Sequence, residues 1–197
     1  MYEMKMTHIC KMGLILSVLA AREAHAQAPP LPGGTSSKAA TTVPAAEIQT
    51  GLQRNNTGPV ADFVLRVLPI DASYNIGISV VRRSKVNGKT PPDAIMHEAI
   101  TEVYQILEGK GVLVTGGRIE SATALPADDP DVRQLIGPSS VGKSILGGTR
   151  QRVGPGDTVV IPPHTTHGFV EITTDRIVYT LIRIDPKQLL ELRTQPR

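Results

Sequence analysis

The sequence is poor in the residues on which several classes of protein depend. Its 197 residues contain one cysteine, no tryptophan and only 3% aromatic residues. A single cysteine excludes a disulfide framework within the chain. Few aromatic side chains and a net charge of +3 argue against nucleic-acid binding, which needs stacking platforms and a concentrated basic surface. The hydrophobic content of 40% still allows one folded domain.

Long apolar runs are also absent, and the longest one lies near the start. Met12–Ala21 is apolar over ten residues, which is too short to span a bilayer as a stable anchor. Basic residues Lys5 and Lys11 flank its start, and Ala24-His25-Ala26 has the small-x-small pattern of a signal-peptidase site. The pattern predicts a cleaved secretory signal over residues 1–26 and a periplasmic or secreted protein. An uncleaved N-terminal helix is the alternative.

The rest of the chain divides by composition. Residues 27–50 are rich in Pro, Ala, Ser and Thr and predict a flexible linker. A folded domain is expected over residues 51–185. Residues 186–197 are expected to form a short helix or a tail, with Asp185 as helix N-cap and Pro186 at the first helical position. Signal cleavage would remove the only thiol and leave no cysteine ligand for a metal.

The expected domain shows strand patterns and no convincing long helix. Short stretches rich in Val, Ile and Tyr recur about every ten residues, with turn residues between them. The segment Gly109–Gly111 predicts a tight hairpin turn between two strands. This spacing favours an antiparallel sandwich or barrel.

One stretch, Gly137–Ser144 ("GPSSVGKS"), fits the phosphate-binding pattern G-x-x-x-x-G-K-[ST]. That pattern works where a buried strand feeds the loop and a helix begins directly after it. Here four glycines and a proline follow within thirteen residues, which excludes a helix of useful length. We expect no nucleotide partner and turns at these glycines. Lys143 is expected at the rim, where it is solvated or meets an anionic substrate.

Two segments carry the histidines that remain after signal cleavage. The first, "MHEAITEVYQILEGKG", contains His97 and Glu102, and the second, "GPGDTVVIPPHTTHGF", contains His164 and His167. Glu102 and Tyr104 share a strand face by the two-residue period. Imidazole and carboxylate groups are ligands for first-row transition metals.

These two segments resemble, in order, the first and second motifs of the cupin superfamily. The resemblance covers roughly residues 60–185 and implies a single jelly-roll β-barrel with a flexible N-terminal extension. It implies a divalent metal inside the barrel, with Fe, Mn, Ni, Cu or Zn as candidates. It further implies His97, Glu102 and His167 as ligands and pairing as a homodimer through sheet edges.

The chain departs from the cupin pattern at two places. One histidine precedes Glu102 where two are usual, so the missing ligand position falls on Ile95 or Met96, or Glu98 replaces a histidine. His164 stands where a glycine is usual and is either a fourth ligand or solvent-facing. The odd offset between His97 and Glu102 requires a bulge or turn if both point inward. A metal-free barrel is the alternative.

Two functions follow from this interpretation. The first is a metal-dependent enzyme acting on a small molecule, with Tyr104 and Glu98 assisting proton transfer or substrate positioning. Dioxygenase, isomerase and lyase chemistry are all compatible with the fold. The second is a non-catalytic module that binds a small ligand, or a structural protein with a vestigial site.

Overall fold

The computed structural model describes residues 39–54, 58–86 and 94–196. The predicted signal peptide and most of the predicted linker lie outside these residues. One compact unit runs from Thr41 to Arg197. No helix within the described part of the chain is long and apolar enough to cross a membrane.

Strands dominate the described residues. The helical elements are α1 (Ala45–Arg54) and a one-turn π-helix (Val132–Ile136). The strands are β1 (Val60–Ile70), β2 (Tyr74–Val86), β3 (Ala94–His97), β4 (Thr101–Glu108), β5 (Gly111–Thr115), β6 (Arg118–Glu120), β7 (Thr123–Ala124), β8 (Ser139–Gly142), β9 (Ser144–Leu146), β10 (Thr149–Val153), β11 (Thr158–Ile161) and β12 (His167–Asp185).

The long strand β12 joins the two sides of the barrel. Its second half lies between β2 and β4, which gives the order β1-β2-β12-β4-β11 on one side. Its first half pairs with β5 and β3, which gives β10-β5-β12-β3-β8-β7 on the other. All pairings are antiparallel. The predicted all-β jelly roll is confirmed.

The predicted hairpin at Gly109–Gly111 is wrong. Strands β4 and β5 do not pair with each other; both pair with β12, on its second and first halves. Gly109 therefore lies in a bend that carries the chain from one side of the barrel to the other. Its φ is +81°, and a Cβ there would lie 2.0 Å from the carbonyl oxygen of Arg176. A tight hairpin turn and a bend of this kind have the same glycine-rich sequence pattern. Which of the two forms depends on the strands with which β4 and β5 pair.

The core fills the space between the two sides. Alternate residues of β4 are buried, including Glu102, Tyr104 and Ile106, so the two-residue period predicted this inner face correctly. Tyr104 and Ile106 pack in a cluster that includes Leu113, Phe169 and other inward-facing side chains of β5 and β12. Polar residues on one part of this face therefore stand at the border of an apolar interior.

Helix α1 differs from the linker prediction. Residues 45–50, expected to be flexible, form its first turns, with Glu47 in the first turn and Arg54 in the last, which suits the helix dipole. Ile48 and Leu52 pack against the outer face of β1 and β2. Glu47 also forms an ion pair with buried Arg66, with Oε2 2.8 Å from Nη1. These contacts with distant strands outweigh the loop-like composition of the segment.

The C-terminal segment forms a tail without a helix. Asp185 accepts a hydrogen bond from the Leu190 amide at 2.8 Å, so it closes a turn and caps no helix. The tail then pairs with β1 through Arg193 and Val67, whose amides and carbonyls exchange two hydrogen bonds. The tail alternative of the prediction is the one observed.

The phosphate-loop pattern falls on strands. Residues of Gly137–Ser144 form β8 and the start of β9, and β8 lies between β3 and β7. A strand follows Lys143, where a phosphate-binding loop requires a helix N-terminus. Gly137 has φ +62° directly after the π-helix, so it serves a turn as expected.

Candidate metal centre

Three strands bring His97, Glu102 and His167 together. His97 ends β3, Glu102 is the second residue of β4, and His167 begins β12. The turn at residues 98–100 lets His97 and Glu102 point inward despite their odd spacing. All three side chains are 2–3% exposed, and one ligand atom from each lies within 4.8 Å of the others.

The carboxylate of Glu102 lies between the two imidazoles. Its Oε1 is 3.3 Å from His97 Nε2, and its Oε2 is 3.2 Å from His167 Nε2. The imidazole centroids are 5.2 Å apart. Both histidines therefore present the same ring nitrogen to one shared space.

The outer nitrogen of His167 fixes its tautomer. His167 Nδ1 lies 3.0 Å from the carbonyl oxygen of Thr165. A carbonyl oxygen only accepts hydrogen bonds, so Nδ1 must carry the proton. The Nε2 of a neutral His167 therefore presents its lone pair to Glu102.

Ser139 fixes His97 in the same way. His97 Nδ1 lies 2.8 Å from Ser139 Oγ, and that hydroxyl donates its one hydrogen to the backbone, with the Gly137 carbonyl at 2.8 Å. With that hydrogen on the carbonyl, Ser139 Oγ accepts from Nδ1–H of His97. In this tautomer the Nε2 of a neutral His97 is available to bind a cation beside Glu102. Such outer hydrogen bonds are characteristic of metal-binding histidines.

This arrangement fits a bound cation. Two imidazole nitrogens lie 3.2–3.3 Å from one carboxylate, and a positive charge in the space that they share would stabilise all three groups. Burial lowers the pKa of His97 below its usual range even though Glu102 favours its charged form, so protonation of His97 does not supply that charge. Two neutral histidines and one carboxylate are a donor set that divalent first-row metals accept.

Glu102 is held in place by two further partners. Tyr104 Oη donates to Oε2 at 2.8 Å, and Arg183 Nε donates to Oε1 at 3.2 Å. Burial raises the pKa of the Glu102 carboxyl, but His97, His167 and Arg183 outweigh it and hold that pKa well below its usual range. Glu102 is therefore an oriented carboxylate at neutral pH.

Tyr104 remains a protonated phenol. Burial and the Glu102 carboxylate raise its pKa well above its usual range. Its ring stacks on Tyr179 with centroids 4.4 Å apart, which restricts the position of the hydroxyl. The side chain predicted for catalysis thus lies beside the cluster of His97, Glu102 and His167, and its hydroxyl donates to Glu102.

The cluster opens into a cavity of about 350 Å³. This volume is at the small end of the range of ligand pockets. The cavity is bounded by apolar side chains and by several charged ones. Its charged and hydroxyl-bearing lining residues are Asp62, Arg83, Glu102, Tyr104, Asp129, Asp131, Tyr179 and Arg183.

Glu98 and His164 lie apart from the cluster. Both side chains are exposed. Glu98 follows His97, and its amide donates to the Pro138 carbonyl at 2.9 Å. His164 has φ +61° in the loop before β12, and its amide donates to the His97 carbonyl at 2.7 Å. His164 thus faces solvent, the second of its two predicted placements, while its backbone tethers the two histidine segments together.

The sequence interpretation missed Ser139 and Arg183. Ser139 contacts His97 across 42 residues of sequence, so no local pattern marks it. Arg183 had a signal, because it follows Tyr179 and Leu181 on the same face of an apolar strand. A charged residue on an otherwise buried face indicates a paired charge.

The model of the AraC-like ligand binding domain family matches residues 141–196, which include His167 and Arg183 but not His97 or Glu102. No curated protein matches the chain.

Solved structures that match are distant. KdgF from Halomonas sp. is 15% identical with a TM-score of 0.41, and the match covers 68% of this chain and 86% of KdgF. The DMSP lyase DddQ from Ruegeria pomeroyi is 17% identical with a TM-score of 0.34, and the match covers 62% of this chain and 42% of DddQ. TT1209 from Thermus thermophilus is 14% identical with a TM-score of 0.40, at 70% and 93% coverage. The chain thus spans less than half of DddQ.

Proposed function

The chain has the fold of the cupin superfamily, and we propose on that premise that it binds one divalent transition metal and a small molecule beside it. His97, Glu102 and His167 would hold the metal. The observation that carries the proposal is that the Nε2 atoms of His97 and His167 lie 3.3 and 3.2 Å from one buried carboxylate inside the barrel. The adjoining cavity has room for a small molecule only.

We propose metal-dependent catalysis as the activity. A bound metal would supply Lewis acidity or a site for dioxygen. The protein itself orients the carboxylate through Arg183 and keeps Tyr104 protonated as a hydrogen-bond donor. Dioxygenase, isomerase and lyase reactions all remain compatible with these parts.

Metal binding is tested by titrating metal-stripped protein with Co²⁺ and recording its visible absorption. We expect saturation near one equivalent and a spectrum typical of nitrogen and oxygen ligands. His97→Ala should weaken binding strongly, whereas Glu98→Ala should bind as the wild type does. Equal binding by the wild type and His97→Ala would show that the ligand assignment is wrong.

A non-catalytic ligand-binding module is the second candidate. The match to an AraC-like ligand binding domain family over residues 141–196 favours it. The two candidates differ in turnover: an enzyme converts a bound small molecule only when metal-loaded, and a binding module returns it unchanged. Product analysis by mass spectrometry after incubation with small-molecule pools distinguishes them.

We also propose export and dimer formation. Export rests on the signal-like sequence of residues 1–26, and the mature protein should begin at Gln27 by mass spectrometry. Dimer formation rests on β11, which pairs with β4 alone among the described strands and exposes 61% of Val160. Sedimentation equilibrium should give twice the chain mass. A retained N-terminus or a monomer would contradict the respective proposal.

A further inference from the structure

Two arginines line the cavity, and their hydrogen bonding differs. Arg183 uses all of its nitrogens on the protein: Nε bonds Glu102, Nη1 bonds Ser79 at 2.9 Å, and Nη2 bonds Asp62. It is therefore a structural cation that fixes the carboxylates around it. Three of its five N–H donors are thereby engaged, at least one on each nitrogen.

Arg83 is held by one nitrogen only. Its Nε donates to Tyr179 Oη at 2.9 Å, and its guanidinium lies 5.8 Å from the centre of the Phe169 ring. These are the contacts described for its side chain, and within the described residues none of them uses Nη1 or Nη2. A guanidinium fixed at one end and open at the other is pre-organised to bind a planar anion with two parallel hydrogen bonds.

The position of Arg83 connects the metal cluster to the outside. It lines the cavity of the metal cluster and also an adjoining open cavity, together with the shared residues Val60, Ile95 and Val141. Lys143 lines the outer cavity, which places a second positive charge on the same route. Asp62 does not neutralise Arg83, because its ion pair is with Arg183. Glu102 also lines the inner wall, where it is hydrogen-bonded to Arg183 and Tyr104. Asp129 and Asp131 precede the π-helix, and Asp131 is exposed.

We infer that the barrel binds a small carboxylate, with Arg83 as the residue that holds the carboxylate group beside the metal ligands. This inference rests on the proposed function for the metal and adds the chemical class of the ligand. The size of the cavity limits that ligand to a small organic acid. Lys143, the lysine of the phosphate-loop pattern, attracts the anion at the entrance without holding it.

The test is calorimetric titration of the protein, as purified and after Zn²⁺ loading, with acetate, glycolate, malonate, succinate and 2-oxoglutarate. Malonamide and succinamide serve as uncharged controls. We expect at least one acid to bind, and Arg83→Gln to weaken its binding by about tenfold or more, since charge-assisted hydrogen bonds are lost. Arg83→Lys, which keeps the charge, should lose less. Arg150→Gln, which removes an exposed arginine from β10, should bind as the wild type does.

The outcomes separate the inference from the proposed function. Metal content is measured on the same samples, and Arg83→Gln should retain it. Acid binding that depends on Arg83 in a protein that takes up no metal even after Zn²⁺ loading would support the carboxylate site and overturn the metal proposal. If no acid binds the wild type more tightly than Arg83→Gln, the inference is wrong whatever the metal content. If Arg83→Gln does not fold, wild type is compared with Arg83→Lys. Bidentate binding by Arg83 would be overturned if the two proteins bound the acids with equal affinity and preferred acids over amides to the same degree.

Discussion

At the scale of single residues, the site depends on side chains that fix hydrogen positions. Ser139 decides which nitrogen of His97 is available, although Ser139 touches no ligand atom of Glu102. Its hydroxyl accepts from His97 and donates to the backbone. The strand that carries it, β8, also carries the phosphate-loop pattern, so that segment contributes to the site through a role the pattern does not describe.

We expect Ser139→Ala to lower metal affinity by about 10- to 100-fold, the usual effect of removing an outer-shell partner. The ring of His97 would lose the bond that sets its tautomer. The measurement is competition for Zn²⁺ with a chromophoric chelator. Ser140→Ala is the matched control, since Ser140 follows Ser139 in β8 and its side chain points to the other face of the strand. Equal losses in both variants would mean that the strand, and not the hydrogen bond, sets the affinity.

The pKa directions of Glu102 and His97 predict acid lability. The ordinary pKa values are 4.5 and 6.5, and both are lowered in the folded protein. The unfolded chain then binds more protons, so the free energy of unfolding falls as the pH falls. We expect this decline to begin near pH 6.5 and to continue below pH 4.5 in metal-free protein, measured by urea unfolding. Glu102→Gln should flatten the lower part of the curve, and an unaltered slope below pH 4.5 in that variant would contradict the account.

At the scale of elements, the bend between β4 and β5 positions the site. It lets β4 carry Glu102 on one side of the barrel while β5 continues on the other beside the first half of β12. The backbone at Gly109 allows this path because it has positive φ and closely approaches Arg176. Pairing with β12, which is distant in sequence from both strands, imposes the bend, and for that reason the local "GKG" pattern alone predicts a hairpin.

Gly109→Ala should destabilise the protein by about 3–5 kcal/mol, the sum of backbone strain and of a clash that must be relieved. A Cβ at this position would lie 2.0 Å from a backbone oxygen. Gly116→Ala is the control, because Gly116 has a similar φ of +79° but nothing within 4 Å of its Cβ position. It should cost about 1 kcal/mol. Chemical denaturation of both variants measures the difference, and similar losses in the two would show that the close approach does not matter.

At the scale of the whole molecule, the sequence predicted the jelly roll and the inner face of β4 better than it predicted the elements around them. Alternation in β4 placed Glu102 and Tyr104 on the inner face, because burial on a strand follows a two-residue period. Helix α1 was missed, since Ile48 and Leu52 gain their stability from distant strands. Arg83 was missed as well, because its open hydrogen-bonding groups are visible only once Tyr179 and the cavity are in place.

The central claim is that His97, Glu102 and His167 hold a metal ion inside the barrel. Its most direct test is elemental analysis of the untagged protein as purified, and again after incubation with Fe²⁺, Mn²⁺, Ni²⁺ and Zn²⁺. The account predicts close to one equivalent of a first-row metal in the wild type and in His164→Ala, whose side chain is exposed, and almost none in His167→Ala. Metal-free wild type after every incubation, or full occupancy in His167→Ala, would contradict it.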